Sequence, residues 1–232
     1  KVDRKIIQIL IENSRTPLSK IAQLVRLSKP STLKRINRMI KNNFIYDFIT
    51  DNNPFAWGYQ LVMILFKTDT LYEEADTKIL LEAPYSWWFC KYDGRYNFGI
   101  IFIVKDYQKF EQVWGELQKK IHLKEWKVYH IYEYIIEPYE LLGVSSGLKQ
   151  SSRVSKYKPL DRIDAEIMYY IRLRARDSIS EISRNIRIGT ETIKKHLKEL
   201  YQRRAINLFF VNFDIYTLGF YPYLLFLKIK DT

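Results

Sequence analysis

Between Ser31 and Asn43 the apolar positions Thr32, Ile36, Met39 and Ile40 recur at i, i+4, i+7 and i+8, which predicts one face of an α-helix. Ser31, Lys34, Arg35, Arg38, Lys41 and Asn42 fall on the other face, and every charge among them is positive. Two shorter stripes precede it. Asp3–Glu12 places Ile6, Ile7, Leu10 and Ile11 together, and a second helix turns Leu18, Ile21, Ala22 and Val25 inward. Leu27-Ser28 then predicts a tight turn, with Ser28 as N-cap and Pro30 in the first turn, where its missing N–H costs little. Three helices with a short turn between the second and third describe a helix-turn-helix, a pattern shared with any small three-helix bundle.

After Asn43 the period shortens. Tyr46–Thr50 reads as extended, Asp51-Asn52-Asn53-Pro54 as a turn, and Gly58 closes the segment. From Tyr59 the pattern predicts strand 60–67, helix 71–82, strand 86–92, strand 96–104, helix 107–120 and strand 126–136. That order, βαββαβ, is the ferredoxin-like arrangement. Asp93-Gly94-Arg95 supplies the hairpin between the central strands. Residues 143–159 hold five serines, two glycines and no acid, and read as a linker outside either core.

From Leu160 the first segment begins again, displaced by 161 residues without a gap. Asp3, Arg15, Ser19, Arg26, Lys34, Ile45, Phe48 and Gly58 are matched by Asp164, Arg176, Ser180, Arg187, Lys195, Ile206, Phe209 and Gly219. The second charged helix carries Ile193, Leu197, Leu200 and Tyr201 on its apolar stripe, with Lys195, His196 and Arg203 outside. Ser178 and Glu181 form a capping box where the first copy has Pro17 and Lys20. Tyr221–Ile229 matches the first strand of the βαββαβ unit. The predicted fold is α+β. A winged-type helix-turn-helix head with its linking strand (1–58) precedes a ferredoxin-like domain (59–142) and the linker (143–159). A second head (160–220) and the first strand of a second sheet domain (221–232) follow. The chain lacks an initiator methionine and stops just past an apolar run, which reads as a fragment of a longer protein.

Charge sharpens this picture. Residues 1–58 carry 11 basic and 4 acidic side chains (+7), 59–142 carry 10 and 13 (−3), 143–159 carry 4 and 0 (+4), and 160–232 carry 13 and 9 (+4). The positive charge therefore sits on the helical segments and the connector, a partition suited to phosphate. No apolar run approaches the roughly 18 residues that cross a bilayer. The single cysteine, Cys90, follows Trp87-Trp88-Phe89 and reads as a small core residue. With no signal peptide either, it predicts a reducing, cytoplasmic setting. His122, His130 and His196 have no neighbours at metal-ligand spacing, so neither a metal nor another cofactor is expected. Nor does a nucleophile–base pair stand out.

The segments LDRIDAEIM (160–168) and VDRKIIQIL (2–10), Arg15 and Arg176, Ile21-Ala22 and Ile182-Ser183, and FI (44–45) and AI (205–206), with Gly58 and Gly219, resemble the Lrp/AsnC family of regulators. The resemblance implies a helix-turn-helix joined by a strand to a βαββαβ ligand-sensing domain. It also implies double-stranded DNA as partner, an amino acid or related metabolite as effector, and pairing of sensing domains. With two modules in one chain, that pairing is either a homodimer or an intramolecular pseudo-dimer. The family's turn between the central sensing strands, roughly G-x-Y-D, corresponds to Gly94, Arg95, Tyr96 and Asn97, the candidate ligand contacts; asparagine replaces the acid. The candidate DNA contacts are Ser31, Lys34, Arg35, Arg38 and Lys41 in the first head, with Thr192, Lys195, His196, Lys198 and Arg203 in the second. A regulator rather than an enzyme is the expected function. The alternatives are a relative of the sirohaem decarboxylases, which share the fold, and an oligomerisation protein that does not bind DNA.

Overall fold

The computed structural model describes residues 1–136, 150–154 and 156–227. The first three helices are α1 (Val2–Glu12), α2 (Leu18–Val25) and α3 (Lys29–Lys41). Ser28 caps α3 by accepting a hydrogen bond from the Ser31 N–H at 3.2 Å, and Pro30 lies in the first turn, as its missing donor permits. Between α2 and α3 the chain reverses at Arg26, whose backbone is left-handed (φ 56°), while the Leu27 N–H bonds Ala22 O at 3.0 Å. Ile6, Leu10, Ile21, Ile36 and Met39 close the core beneath.

Strand β1 (Ile45–Asn52) follows. The ferredoxin-like unit comes next: β2 (Gln60–Thr68), α4 (Glu73–Leu81), β3 (Ser86–Lys91), β4 (Phe98–Val104), α5 (Tyr107–Lys120) and β5 (Leu123–Ile131). Its strands lie in the order β3-β4-β2-β5, all antiparallel. One face buries Val62, Ile64, Phe66, Phe98, Ile100 and Phe102 against α4 and α5, with Trp114 and Leu117 from α5. Two predicted elements are shifted. Thr70–Tyr72 is a 3-10 turn ahead of α4, because Asp69 caps the Leu71 N–H. The last strand starts earlier, at Leu123, and ends at Ile131. After it, β6 (Ile135–Ile136) pairs with β7 (Gln150–Ser151). Cys90 on β3 is half-buried rather than in the core, and burial raises its thiol pKa.

The described part of the expected linker is built into the fold. Ser152 is fully buried; its carbonyl accepts from Asn53 Nδ2 at 2.9 Å and its hydroxyl from the Tyr134 N–H at 2.9 Å. A serine-rich segment can do this because each residue brings a hydroxyl as well as backbone groups to polar atoms that have lost water. Tyr157 packs on Gly58 (φ 83°), where a Cβ would stand 2.7 Å from the ring. Residues 143–149 and 155 lie outside the described residues.

The second set of helices is α6 (Arg162–Ile171), α7 (Ile179–Ile186) and α8 (Thr190–Gln202), followed by β8 (Ile206–Phe213). The capping box at Ser178 and Glu181 forms, and Arg187 takes the left-handed turn (φ 57°) that Arg26 takes in the first copy. The strand after each third helix does not make a wing within its own head. Instead β1 and β8 pair antiparallel with each other. Ile49 stands opposite Phe210, its own counterpart in the repeat, and Phe48 and Thr50 stand opposite Val211 and Phe209. A strand facing its own equivalent about a fixed centre is the register of a local two-fold axis. The halves are also interleaved. Val211 and Phe213 are buried in the first head's core, and Ala56 in the second's.

Tyr221–Leu227 is not a strand, a correction to the expected start of a second sheet; residues 228–232 lie outside the described residues. A strand needs a ladder partner, and no described residue offers one there. Phe226 stacks on Tyr129 at 5.5 Å between ring centres, while Tyr223 is 91% exposed.

Candidate nucleic-acid interface

Each third helix is fixed to its first helix by one carboxylate. In the first head Asp3 accepts from Arg35 Nη1 at 2.9 Å and from Arg38 Nη2 at 2.7 Å. In the second, Asp164 accepts from Arg203 Nη2 at 2.6 Å and lies 2.8 Å from His196 Nδ1. Asp3 and Asp164 are equivalents, as are Arg35 and His196. Arg38 is replaced by Glu199, and Arg203 takes over from the position of Asn42. Asp164 is only 2% exposed, so the Arg203 guanidinium and the His196 ring offset a desolvation cost that Asp3, half-exposed, meets less.

These contacts divide the ten candidate residues. Arg35, His196 and Arg203 each contact the aspartate of the first helix and so help pack α3 on α1 and α8 on α6. Arg203 also donates to Lys158 O at 2.9 Å. Arg38 is braced too, yet 57% of its side chain is exposed. Ser31 is exposed and accepts from the Ser28 hydroxyl at 2.9 Å; Thr192 is half-buried. Lys34, Lys41, Lys195 and Lys198 are exposed and make no ion pair among the described residues. Residue-type periodicity places eight of the ten outside the apolar stripes, but it cannot show which cations a distant acid claims. An aspartate at one register in both copies was the available signal.

Asp161, Asp164 and His196 gather within 4.8 Å, which resembles a set of metal ligands. Their atoms are already engaged: Asp161 Oδ1 caps the Asp164 N–H at 2.8 Å, and Asp164 holds Arg203. The cluster is a helix cap joined to a brace.

The turn Gly94–Asn97 is likewise occupied by internal contacts. Arg95 Nη2 meets Glu125 Oε1 at 2.7 Å, lowering that carboxyl's pKa, and the Tyr96 hydroxyl donates to the same oxygen at 3.2 Å. Asn97 Oδ1 accepts from the Thr68 N–H at 2.9 Å, while Gly94 is exposed. A groove of about 650 Å³ between β4 and α5 is lined by Tyr59, Tyr85, Lys105, Tyr107 and Phe110 and includes none of the four turn residues.

The fold has two similar three-helix units whose following strands pair across a local two-fold, the first unit followed by a ferredoxin-like sheet. Residues 1–40 match the AsnC-type helix-turn-helix domain. It is similar to the HTH-type transcriptional regulator FL11 of Pyrococcus furiosus, at 33% identity over 81 residues, 34% of this chain and 54% of that one. It also resembles PH0140, an uncharacterised HTH-type transcriptional regulator of Pyrococcus horikoshii, at 31% over 65 residues, 28% of this chain and 41% of the relative. The matched part thus spans about half the length of these relatives. Among solved structures, the leucine response regulatory protein LrpA of Mycobacterium tuberculosis superposes with TM-score 0.53 at 15% identity, covering 60% of this chain and 96% of that one. The siroheme decarboxylase NirDL, in complex with an iron-uroporphyrin III analogue, superposes with TM-score 0.63 at 16% identity, covering 91% and 66%. At such identities the superpositions speak for the fold.

Proposed function

We propose that the protein is a sequence-specific regulator of transcription that grips double-stranded DNA with both helical heads. The observation that carries this is the pair of third helices, α3 and α8, each leaving unpaired lysines outward: Lys34 and Lys41 on one, Lys195 and Lys198 on the other. A helix whose apolar side is docked and whose cations point to solvent suits a major groove flanked by phosphates. Arg38 adds charge to the first head, and Glu199 removes it from the second. The two half-sites are therefore expected to differ.

Replacing Lys34, Lys41, Lys195 and Lys198 with alanine should weaken duplex binding. It should also flatten the slope of log affinity against log salt by up to roughly 0.9 per lost phosphate contact. An unchanged slope would remove these faces from the interface.

A solved structure of similar fold, the transcriptional regulator NMB0573 of Neisseria meningitidis, is an L-Met complex. For this chain an amino-acid effector at Gly94–Asn97 would have to displace Arg95 and Tyr96 from Glu125, so binding there should depend on a Glu125→Gln change. The decarboxylase reading rests on the 91% coverage of this chain by that fold. Against it, His122 is tied to Asp76 at 3.0 Å and stacked on Tyr72, and His130 is held by the Tyr107 hydroxyl at 3.2 Å. Titrating sirohaem into the protein separates the two readings. The regulator gives no shifted absorbance band.

A further inference from the structure

The contacts around the β1–β8 axis occur in reciprocal pairs. The Ser14 N–H donates to Phe209 O at 2.8 Å, and the Ala175 N–H, from its counterpart, donates to Phe48 O at 2.9 Å. Arg15 Nη1 donates to Ala175 O at 2.7 Å, and Arg176 Nη1 donates to Ser14 O, with a further bond from Nη2 to Thr16 O at 3.3 Å. The Arg15 guanidinium lies 5.2 Å from the centre of the Phe209 ring, and that of Arg176 lies 5.2 Å from Phe48. Each arginine thus leaves its own head, crosses the axis, and binds both the backbone and an aromatic ring of the other half.

Only arginine suits this position. A planar guanidinium can present its face to a ring while its edge donates in two directions, whereas an ammonium is a compact point charge. Both guanidiniums are part-buried and hydrogen-bonded to carbonyls, and burial lowers the pKa of each, a costly placement for a cation. Its return is geometric. The clamp fixes two heads whose third helices are equivalents, and Val211 and Phe213 complete the first head's core from the other half. A bivalent ligand gains most when its two binding units are held at the spacing of their targets.

We propose that one chain, without a second copy, occupies both half-sites of a pseudo-palindromic duplex, and that Arg15 and Arg176 are the positioning residues that hold the heads in register. This rests on the DNA-binding reading above. Neither arginine belongs to the lysine faces assigned to DNA.

The test starts from a pool of random-sequence duplexes of about 40 base pairs, selected with the full chain at low salt. Enriched sites should carry two related half-sites with a fixed separation, near a helical turn of about 10 base pairs or a multiple of it. Inserting about 5 base pairs should place the half-sites on opposite faces and lower affinity on the order of 10²-fold, while a single half-site should bind as weakly as the separated pair. Native mass spectrometry should give one chain per duplex. Arg15→Met with Arg176→Met keeps apolar contact with the rings but loses the donors. It should level the spacer series while leaving single-half-site affinity unchanged, and Arg15→Lys with Arg176→Lys should fall between. A spacer series that is flat for the unaltered protein, or two chains per duplex, overturns the single-chain clamp while leaving DNA binding intact. Failure to enrich any duplex overturns the DNA reading itself. If the methionine variant does not fold, as judged by far-UV circular dichroism, the unaltered protein's spacer series and stoichiometry decide the question.

Discussion

Single residues decide which charges in this molecule are available and which are spent inside it. Asp51 illustrates the second kind. It sits on β1, where Asn207 Nδ2 donates to it at 2.7 Å, and burial raises its pKa from the usual carboxylate value to about 6. A folded-state pKa above the unfolded one means that the native protein binds the extra proton between about pH 4 and 6. The charged form therefore costs stability above pH 6, and the cost is relieved as pH falls through that window. Two units correspond to roughly 3 kcal/mol, an upper figure for a group that retains some solvent. Asp51→Asn should stabilise the protein at pH 7, and urea melts should show the gap to the unaltered protein closing by pH 4. A gap that widens on acidification would place the carboxylate in a different environment. Such a residue was unreadable in the sequence: Asp51 stood in a run with the turn residues Asn52 and Asn53, and only the pairing of β1 with β8 buries it. The partners of Arg35, His196 and Arg203 were unreadable for the same reason, since each lies more than thirty residues away.

At the scale of elements the reading from periodicity fared better, because helix faces and caps are local. Thr32, Ile36 and Met39 are buried on α3 as their spacing required, and α5 spans Tyr107–Lys120 as expected. Boundaries moved where side chains intervene, as Asp69 does before α4. The copies differ most in their caps. Ser28 opens α3 with a side-chain hydrogen bond, while Gly189 opens α8 without one. Ser28→Ala should lower stability by about 1 kcal/mol. Gly189→Ser should raise it by a few tenths, since Gly189 has negative φ and a new Cβ meets nothing nearer than Thr192 Oγ1 at 3.9 Å. Chemical denaturation of each variant measures both. A loss for Gly189→Ser would show that α8 begins elsewhere.

For the whole molecule, the 161-residue repeat was legible as two modules but not as their pairing. A repeat states that two units are alike; how they meet depends on groups such as Arg15, Phe48 and Ala175 that have no local pattern. The strand after each third helix was expected as a wing, and it becomes half of a shared two-stranded sheet. The serine-rich connector was expected outside the cores, and Ser152 is buried against Asn53 and Tyr134. Both departures follow from one condition: backbone and polar groups brought into the junction lose water and must find partners there. The heads then form a single interleaved body, so a change at the junction should unfold both together. Arg176→Ala should shift the melting of the whole molecule as one transition, and two separated transitions in calorimetry would show the heads to be independent.

The claim on which the account rests is that this body presents its outward lysines to duplex DNA. It is tested most directly by fluorescence anisotropy of a labelled mixed-sequence duplex across a salt series. Binding should be tight in dilute buffer and fall linearly on logarithmic axes, with a slope corresponding to several released counterions. Absence of binding at the lowest salt would contradict it.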